Sequence, residues 1–123
     1  MQNQLLESKP LPVQQVITFI VVIVVVATLV LSNLWRSISP YAQEVLSLQG
    51  DATLGHAIFQ MNCSGCHGLE AQGRVGPNLH AVANRKSRPA LIEQVTSGNT
   101  PPMPQFHPSP QEMAALLSYL ETL

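Results

Sequence analysis

The stretch Asn62-Cys63-Ser64-Gly65-Cys66-His67-Gly68 holds both cysteines of a 123-residue chain, with an imidazole directly behind the second thiol. Three chemistries use such a stretch: a redox dithiol or disulfide, half of a zinc site, or covalent attachment of a haem. A redox pair of the thioredoxin type needs a preceding strand and a βαβ pattern, and no segment here alternates as a strand would. Structural zinc takes about four soft ligands, usually from a second Cys/His pair at related spacing, whereas His80 and His107 are isolated in the sequence. A disulfide between two cysteines this close would constrain little of the chain. Haem attachment accounts for the position of His67. Thioethers from Cys63 and Cys66 to the two vinyl groups hold the porphyrin against one turn of chain, and the residue after the second cysteine then falls below the iron. His67 can ligate the metal through an imidazole nitrogen, and the expected cofactor is one haem c bound through two thioethers.

The opposite axial position decides between electron transfer and ligand chemistry. Met61, Met103, Met113, His56, His80 and His107 are the candidates. Met61 and His56 lie on the segment leading into Cys63, on the same side of the chain as the cysteines. Met113 belongs to an apolar stripe and reads as core, and His80 follows a Gly76-Pro77-Asn78-Leu79 turn and reads as a residue that orders a loop by hydrogen bonding. Met103 stands in Thr100-Pro101-Pro102-Met103-Pro104, where prolines on both sides favour extended backbone. Such a strap could hold a thioether against the iron, so His67 and Met103 are the expected metal ligands. His107 is the alternative ligand, and plain loop packing the alternative role for Met103.

These residues need a scaffold and a location. Residues 16–34 carry no charge, and about 20 such residues cross the ~30 Å hydrocarbon core of a bilayer as one helix. A cleavable signal peptide has a shorter apolar run, about 7–15 residues, ending in a small-x-small site; Ser37-Ile38-Ser39 has small residues, but Pro40 follows. An uncleaved anchor is expected, with Trp35 and Arg36 at the interface. Lys9 and Glu7 on one side are matched by Arg36 and Glu44 on the other, so charge leaves the orientation open. The chain divides into an N-terminal segment 1–15, an anchor 16–35, a linker 36–50 and a haem domain 51–123. The linker could carry a short helical piece capped by Ser39-Pro40, and as a flexible coil it would reach ~20 Å.

The domain is all-α by pattern. Asp51 caps a helix over 52–62 in which Leu54, Ile58 and Met61 share a face; Gly55, a poor helix former, suggests a close approach by another element. Ser87 caps a second helix, with Pro89 in its first turn, Leu91, Ile92 and Val95 on one face, and Gly98 as the stop. Ser109-Pro110-Gln111-Glu112 has capping-box form, followed by the stripe Met113, Leu116, Leu117, Leu120. A domain of about 70 residues rarely gains more than ~3–5 kcal/mol from its core alone, so a large cofactor is expected at its centre. Seven acidic and six basic residues leave the chain near neutrality, and nothing suggests nucleic acid. Arg85, Lys86 and Arg88 form the basic cluster, which either steers docking to an acidic partner or is a solvated loop before a helix.

Over residues 51–123 the chain resembles the class I c-type cytochromes. Gly55 and Phe59 sit where that family's first helix has its small and aromatic residues, Cys63, Cys66 and His67 match its haem attachment, and Met103 falls in its methionine loop. Gly76-Pro77-Asn78-Leu79-His80 is similar to the family's turn in which the proline carbonyl, here of Pro77, accepts a hydrogen bond from the proximal histidine. Tyr119 matches the aromatic of the last helix that packs on the first. The His67-to-Met103 separation is similar to that of short bacterial and photosynthetic members. Together with the N-terminal apolar segment, the runs MNCSGCHG, RKSRPALIEQV, PPMPQF and PSPQEMAALLSYL resemble the cM subfamily of cyanobacteria.

The resemblance implies a small class I cytochrome c fold after one transmembrane helix, and a single-electron carrier rather than an enzyme. Its partners would be a redox donor and acceptor, a terminal oxidase or a cytochrome b-type complex among them. The alternatives are a haem subunit of a larger oxidase or reductase, and a haem peroxidase or gas-binding protein with a labile sixth ligand. Haem attachment in that family takes place on the outer side of the membrane, which implies a cytoplasmic N-terminus and a haem domain in the periplasm or thylakoid lumen.

Overall fold

The computed structural model describes residues 12–36 and 38–123. Glu7 and Lys9 lie outside the described residues, as do the side chains of Trp35 and Arg36. The chain divides into two compact units between Ser37 and Ile38.

Helix α1 (Val13–Arg36) is the N-terminal apolar element. Its stretch Val13–Leu34, 22 residues, is long and apolar enough to cross a membrane. Its hydroxyl and amide side chains turn back on the helix: Thr18 Oγ1 donates to Gln14 O at 2.9 Å, Thr28 Oγ1 to Val25 O at 2.8 Å, Ser32 Oγ to Leu29 O at 2.9 Å, and Asn33 Nδ2 to Leu29 O at 2.9 Å. These polar groups are satisfied without a partner outside the helix.

The second unit is built from α2 (Pro40–Ser47), α3 (Ala52–Asn62), the single turn α4 (Ser64–His67), α5 (Arg88–Ser97) and α6 (Pro110–Leu120), with a 3₁₀ turn over Val82–Asn84. No strand occurs among the described residues. The centre of the unit is the crossing of α3 and α6. A β-carbon at Gly55 would collide with the carbonyl of Ala115 and lie 2.8 Å from Tyr119 Cβ, so only glycine lets the two backbones approach this closely. The Tyr119 ring covers the crossing, 5.3 Å from Phe59 and 4.9 Å from His56. Phe59, Met113, Leu116 and Leu117 are fully buried around it. The stripe expected on α6 is therefore core throughout, but the buried face of α3 is Gly55, Ile58 and Phe59. Leu54 is 43% exposed and Met61 76%, because the Gly55 contact turns the helix away from the Leu54–Met61 edge.

Of the stretch 36–50 expected as a linker, residues 38–50 belong to the second unit. The compact unit begins at Ile38, and α2 lays Ala42 and Val45 into the core. Ser39 caps it, its Oγ accepting from Ala42 N at 3.2 Å, with Pro40 at the first helical position. Tyr41 Oη donates to Pro108 O at 2.9 Å and Gln111 Nε2 to Gln49 O at 2.9 Å. A β-carbon at Gly50 would collide with the Ala114 carbonyl and stand 2.5 Å from Ser118 Oγ, so the segment lies hard against α6. Two buried apolar residues and these long-range bonds fix residues 38–50 to the second unit, where a flexible coil was expected.

The caps that position the other helices are in place. Asp51 Oδ1 accepts from Thr53 N at 2.8 Å, Gly98 ends α5 in the left-handed region at φ 65°, and Ser109 and Glu112 form a reciprocal capping box. Ser87 stands at the N-cap of α5 without a side-chain capping bond.

Candidate functional site

Helix α3 runs directly into the paired cysteines. Cys63 N donates to Phe59 O at 2.8 Å, and α4 then curls Ser64–His67 into one turn, with Gly68 leaving it at φ 85°. The backbone of this turn is tied to the loop that follows. The carbonyl of Cys66 accepts from both Val75 N (2.9 Å) and Gly76 N (2.8 Å), the carbonyl of His67 from Gly73 N (2.7 Å), and Ala71 O from Leu79 N (2.9 Å). Gln60 Nε2 donates to Leu69 O at 2.8 Å and His80 Nε2 to Glu70 O at 2.7 Å. His80 thus orders the loop, as its position after the turn suggests.

The His67 ring is 8% exposed. Its Nδ1–H donates to Pro77 O at 2.9 Å, the contact that the resemblance implies, which fixes the tautomer and leaves Nε2 as the lone-pair nitrogen. Nε2 has no hydrogen-bond partner among the described residues. Gly76, unremarked in the sequence except as part of a turn, is what gives the ring its place. A β-carbon there would stand 2.6 Å from Cε1, 2.8 Å from Nδ1 and 2.9 Å from Nε2.

The two thiols differ. Cys63 is partly buried and Cys66 exposed. Burial, reinforced by the neighbouring Cys66, pushes the Cys63 thiol up to about 11. No group of three or more His, Cys, Asp or Glu side chains suited to a metal ion occurs among the described residues.

Met103 is half-buried and packs against the core with Cys63, Leu79 and Phe106. Its segment is not the extended strap expected from the prolines. Thr100 to Met103 close a turn, Met103 N donating to Thr100 O at 2.9 Å, with the Pro101–Pro102 peptide cis. The loop is joined to α5 by Phe106 N to Val95 O at 3.0 Å and by the Gln94 side chain, which donates to Thr100 Oγ1 at 2.8 Å and reaches Met103 Sδ at 3.9 Å. Gln94 is the second residue that pattern reading misses, since only the folded loop brings it to the sulfur. Met113 is fully buried core, and His56 and His107 are exposed.

The basic cluster is largely engaged. Arg85 donates to His80 O at 2.6 Å and Asn78 O at 3.0 Å, clasping the loop beyond Pro77. Arg88 pairs with Glu121 at 3.0 Å. Two of the three cations therefore serve the fold, which favours the structural reading of the cluster over a docking patch.

The residues present suit a covalently attached haem. Two thiols sit one turn apart, an imidazole offers Nε2 while its Nδ1 is pinned, and a thioether is available on a separate loop. Leu79, Met103 and Phe106 are half-buried beside the core, and Val75 and Leu69 are exposed apolar side chains on the loop after His67.

Comparison with known proteins agrees with this arrangement. The family model described as cytochrome c oxidase, cbb3-type, subunit III matches residues 50–120. A protein of Synechocystis sp. described as cytochrome c-553-like is 53% identical over 104 residues, 85% of this chain and 97% of its own. Cytochrome c of Arabidopsis thaliana is 43% identical over 56 residues, half of its own length. Cytochrome c-551 of Bacillus subtilis is 29% identical over 72 residues, 63% of its own. No solved structure gives a significant match.

Proposed function

Since the chain belongs to the cytochrome c family, as a monohaem class I member with covalently bound haem c, we propose that it is a membrane-anchored carrier of single electrons whose iron is held by His67 and Met103. The observation that carries this reading is the pinned imidazole: Nδ1 is committed to Pro77 O at 2.9 Å, and the ring has one nitrogen left to give. Cys63 and Cys66 would hold the haem by thioethers. When bound, it supplies a one-electron iron couple.

The chain's own part is to keep both ligands in place through the redox change. The Pro77 carbonyl makes the His67 imidazole more electron-rich and stops it from turning. Gly76 leaves the ring its space. Met103 supplies a neutral sulfur, which with histidine raises the potential. A ligand pair retained in both oxidation states needs little reorganisation, which suits transfer rather than substrate chemistry.

Helix α1 is the proposed anchor. The polar side chains of Thr18, Thr28, Ser32 and Asn33 are satisfied by carbonyls of the helix itself, which suits a bilayer. The similarity to the Synechocystis protein, at 104 residues, is longer than the unit that begins at Ile38, so it extends toward this helix. The proposed orientation has the N-terminus in the cytoplasm and the haem domain in the periplasm or thylakoid lumen, where the family's attachment machinery works. A redox donor and acceptor at that membrane face would be the partners. Protease added to sealed vesicles with the outer face exposed should release a haem-staining fragment; a domain protected until detergent is added would reverse the orientation.

Optical spectra of both redox states, with a pyridine haemochrome, test the core of the proposal. Two thioethers and a sulfur-to-iron charge-transfer band in the oxidised protein are expected, and absence of that band would remove Met103 as ligand. The name of the matching family model favours a second reading, a haem subunit of a larger oxidase. In that case the chain should copurify with the complex in mild detergent.

A further inference from the structure

Helix α2 stands outside the residues that the family model matches. That match begins at residue 50, whereas α2 covers Pro40–Ser47 and buries Ala42 and Val45, with Tyr41 and Leu46 half-buried beside them. Burial of these side chains stabilises the unit, but α2 also makes a polar contact far along the chain. Tyr41 Oη donates to Pro108 O at 2.9 Å. Pro108 is buried and stands at the end of the loop that carries Met103. A proline has no N–H, so this carbonyl is its one backbone polar group. Burial, and then the carboxylates of Glu112 and Glu44, push the Tyr41 phenol above its ordinary value, which keeps the proton on the oxygen as a donor into the alkaline range.

Resting on the ligation by Met103 proposed above, we propose that α2 is a brace for the methionine loop and Tyr41 a positioning residue for Met103: the hydroxyl holds the far end of the loop closed and so keeps the thioether in place against competing ligands. The part of the loop nearer α5 is tied to that helix by Phe106 N to Val95 O at 3.0 Å and by the Gln94 amide on Thr100 Oγ1 at 2.8 Å. Tyr41 fastens the end that leads into α6. The sulfur leaves its axial position only as the loop opens, and opening breaks the Tyr41 bond as well. A hydrogen bond of ordinary net strength corresponds to about a two- to tenfold change in such an equilibrium. The brace therefore works for a retained ligand pair and against the opening of the sixth position that peroxidase or gas-binding chemistry requires.

The test uses the full-length haem-loaded protein in detergent, with imidazole as the competing ligand. Tyr41→Phe keeps the ring and its packing and removes the donor. Gln111→Ala removes the other long-range bond of this segment, Gln111 Nε2 to Gln49 O at 2.9 Å, which involves no residue of the loop 99–108. The imidazole concentration that bleaches the sulfur-to-iron band of the oxidised protein should fall about two- to tenfold in Tyr41→Phe and stay at the wild-type value in Gln111→Ala. The Phe106 amide should exchange its hydrogen faster in Tyr41→Phe alone. Ser39→Ala, which removes the cap of α2 on Ala42 N and leaves Tyr41 in place, should shift the concentration in the same direction, and it serves if Tyr41→Phe loses native helix content. A wild-type concentration in either α2 variant, or an equal fall in Gln111→Ala, overturns the proposal while leaving Met103 as the ligand. A wild-type protein without the band overturns the ligation on which the brace rests.

Discussion

Segment 63–79, which carries His67, and segment 99–108, which carries Met103, are fastened to the fold in different ways. In the first, the backbone does the work. Cys66 O takes two amides, His67 O and Ala71 O one each, Arg85 clasps the carbonyls of Asn78 and His80 from behind, and the ring is both hydrogen-bonded to Pro77 and hemmed in by Gly76. The second has its own turn, one backbone bond from Phe106 to Val95, the Asn99 N–H on Ser97 Oγ, one tyrosine hydroxyl on Pro108 and the Gln94 amide. Local opening follows the density of such ties. The His67 side chain is therefore held by more of the surrounding backbone than the Met103 side chain, and local opening should reach Met103 first.

The strongest way to break this contrast is to remove the attachment itself. Cys63→Ala/Cys66→Ala should abolish covalent haem and leave the second unit largely without helical signal in circular dichroism, because a core of this size contributes only ~3–5 kcal/mol by itself. A haem-free double variant with native helix content would show that the framework of segment 63–79 stands alone. Met103→Ala should act on the other side only. The sulfur-to-iron band disappears and the potential falls, while covalent haem and helix content stay; survival of the band would transfer the ligand role to another residue, with His107 the first candidate. Gly76→Ala should be milder still, a cost of about 1–3 kcal/mol for forcing a methyl against three atoms of the His67 ring, read as a lowered urea midpoint with the sulfur band retained. An unchanged midpoint would mean that the ring has room to move and that the two segments are less different than their hydrogen bonds indicate.

How much of this can be read from residues alone depends on whether the signal is local. The caps at Asp51 and Ser109 and the stripe Met113–Leu120 are local, and so is the turn at Gly76-Pro77-Asn78-Leu79. Gly55 announces a helix crossing because glycine inside a helix costs stability that only a close contact returns. The short helix capped by Ser39-Pro40 is legible in this sense, but its place in the core is not: Ala42 and Val45 are too few to show a stripe, and α2 packs on α5, α6 and Pro108, far along the chain. Leu54 and Met61 mislead for the opposite reason. They are apolar at helical spacing, but the crossing at Gly55 selects the neighbouring face, Ile58 and Phe59. Gln94, Gly76 and Arg85 owe their roles to loops folding back on them, and no spacing rule brings a glutamine on α5 to a sulfur nine residues later.

Ser109 offers the finest probe of the softer segment, since the methionine loop ends where α6 begins. Its hydroxyl accepts from Glu112 N at 3.4 Å and donates to Glu112 Oε2 at 2.7 Å, and its own N–H donates to the same carboxylate at 2.8 Å. Ser109→Ala removes the hydroxyl contacts, and loss of such an N-cap costs about 1 kcal/mol. The hydroxyl of Ser109, and then its backbone N–H, hold the Glu112 carboxyl below its ordinary value. A carboxylate depressed in the folded state stabilises above its unfolded-state pKa, and that contribution disappears as pH falls through the folded value. The stability gap between wild type and Ser109→Ala should therefore be full at neutral pH and narrow under acid, below the ordinary carboxylate range. If the loop is as lightly held as its few bonds suggest, the variant should also expose its amides to hydrogen exchange over residues 99–108 while those of 63–79 keep their protection. Equal loss of protection in both segments would show that α6 couples them, and the contrast between the two would then be one of hydrogen-bond number without a difference in stability.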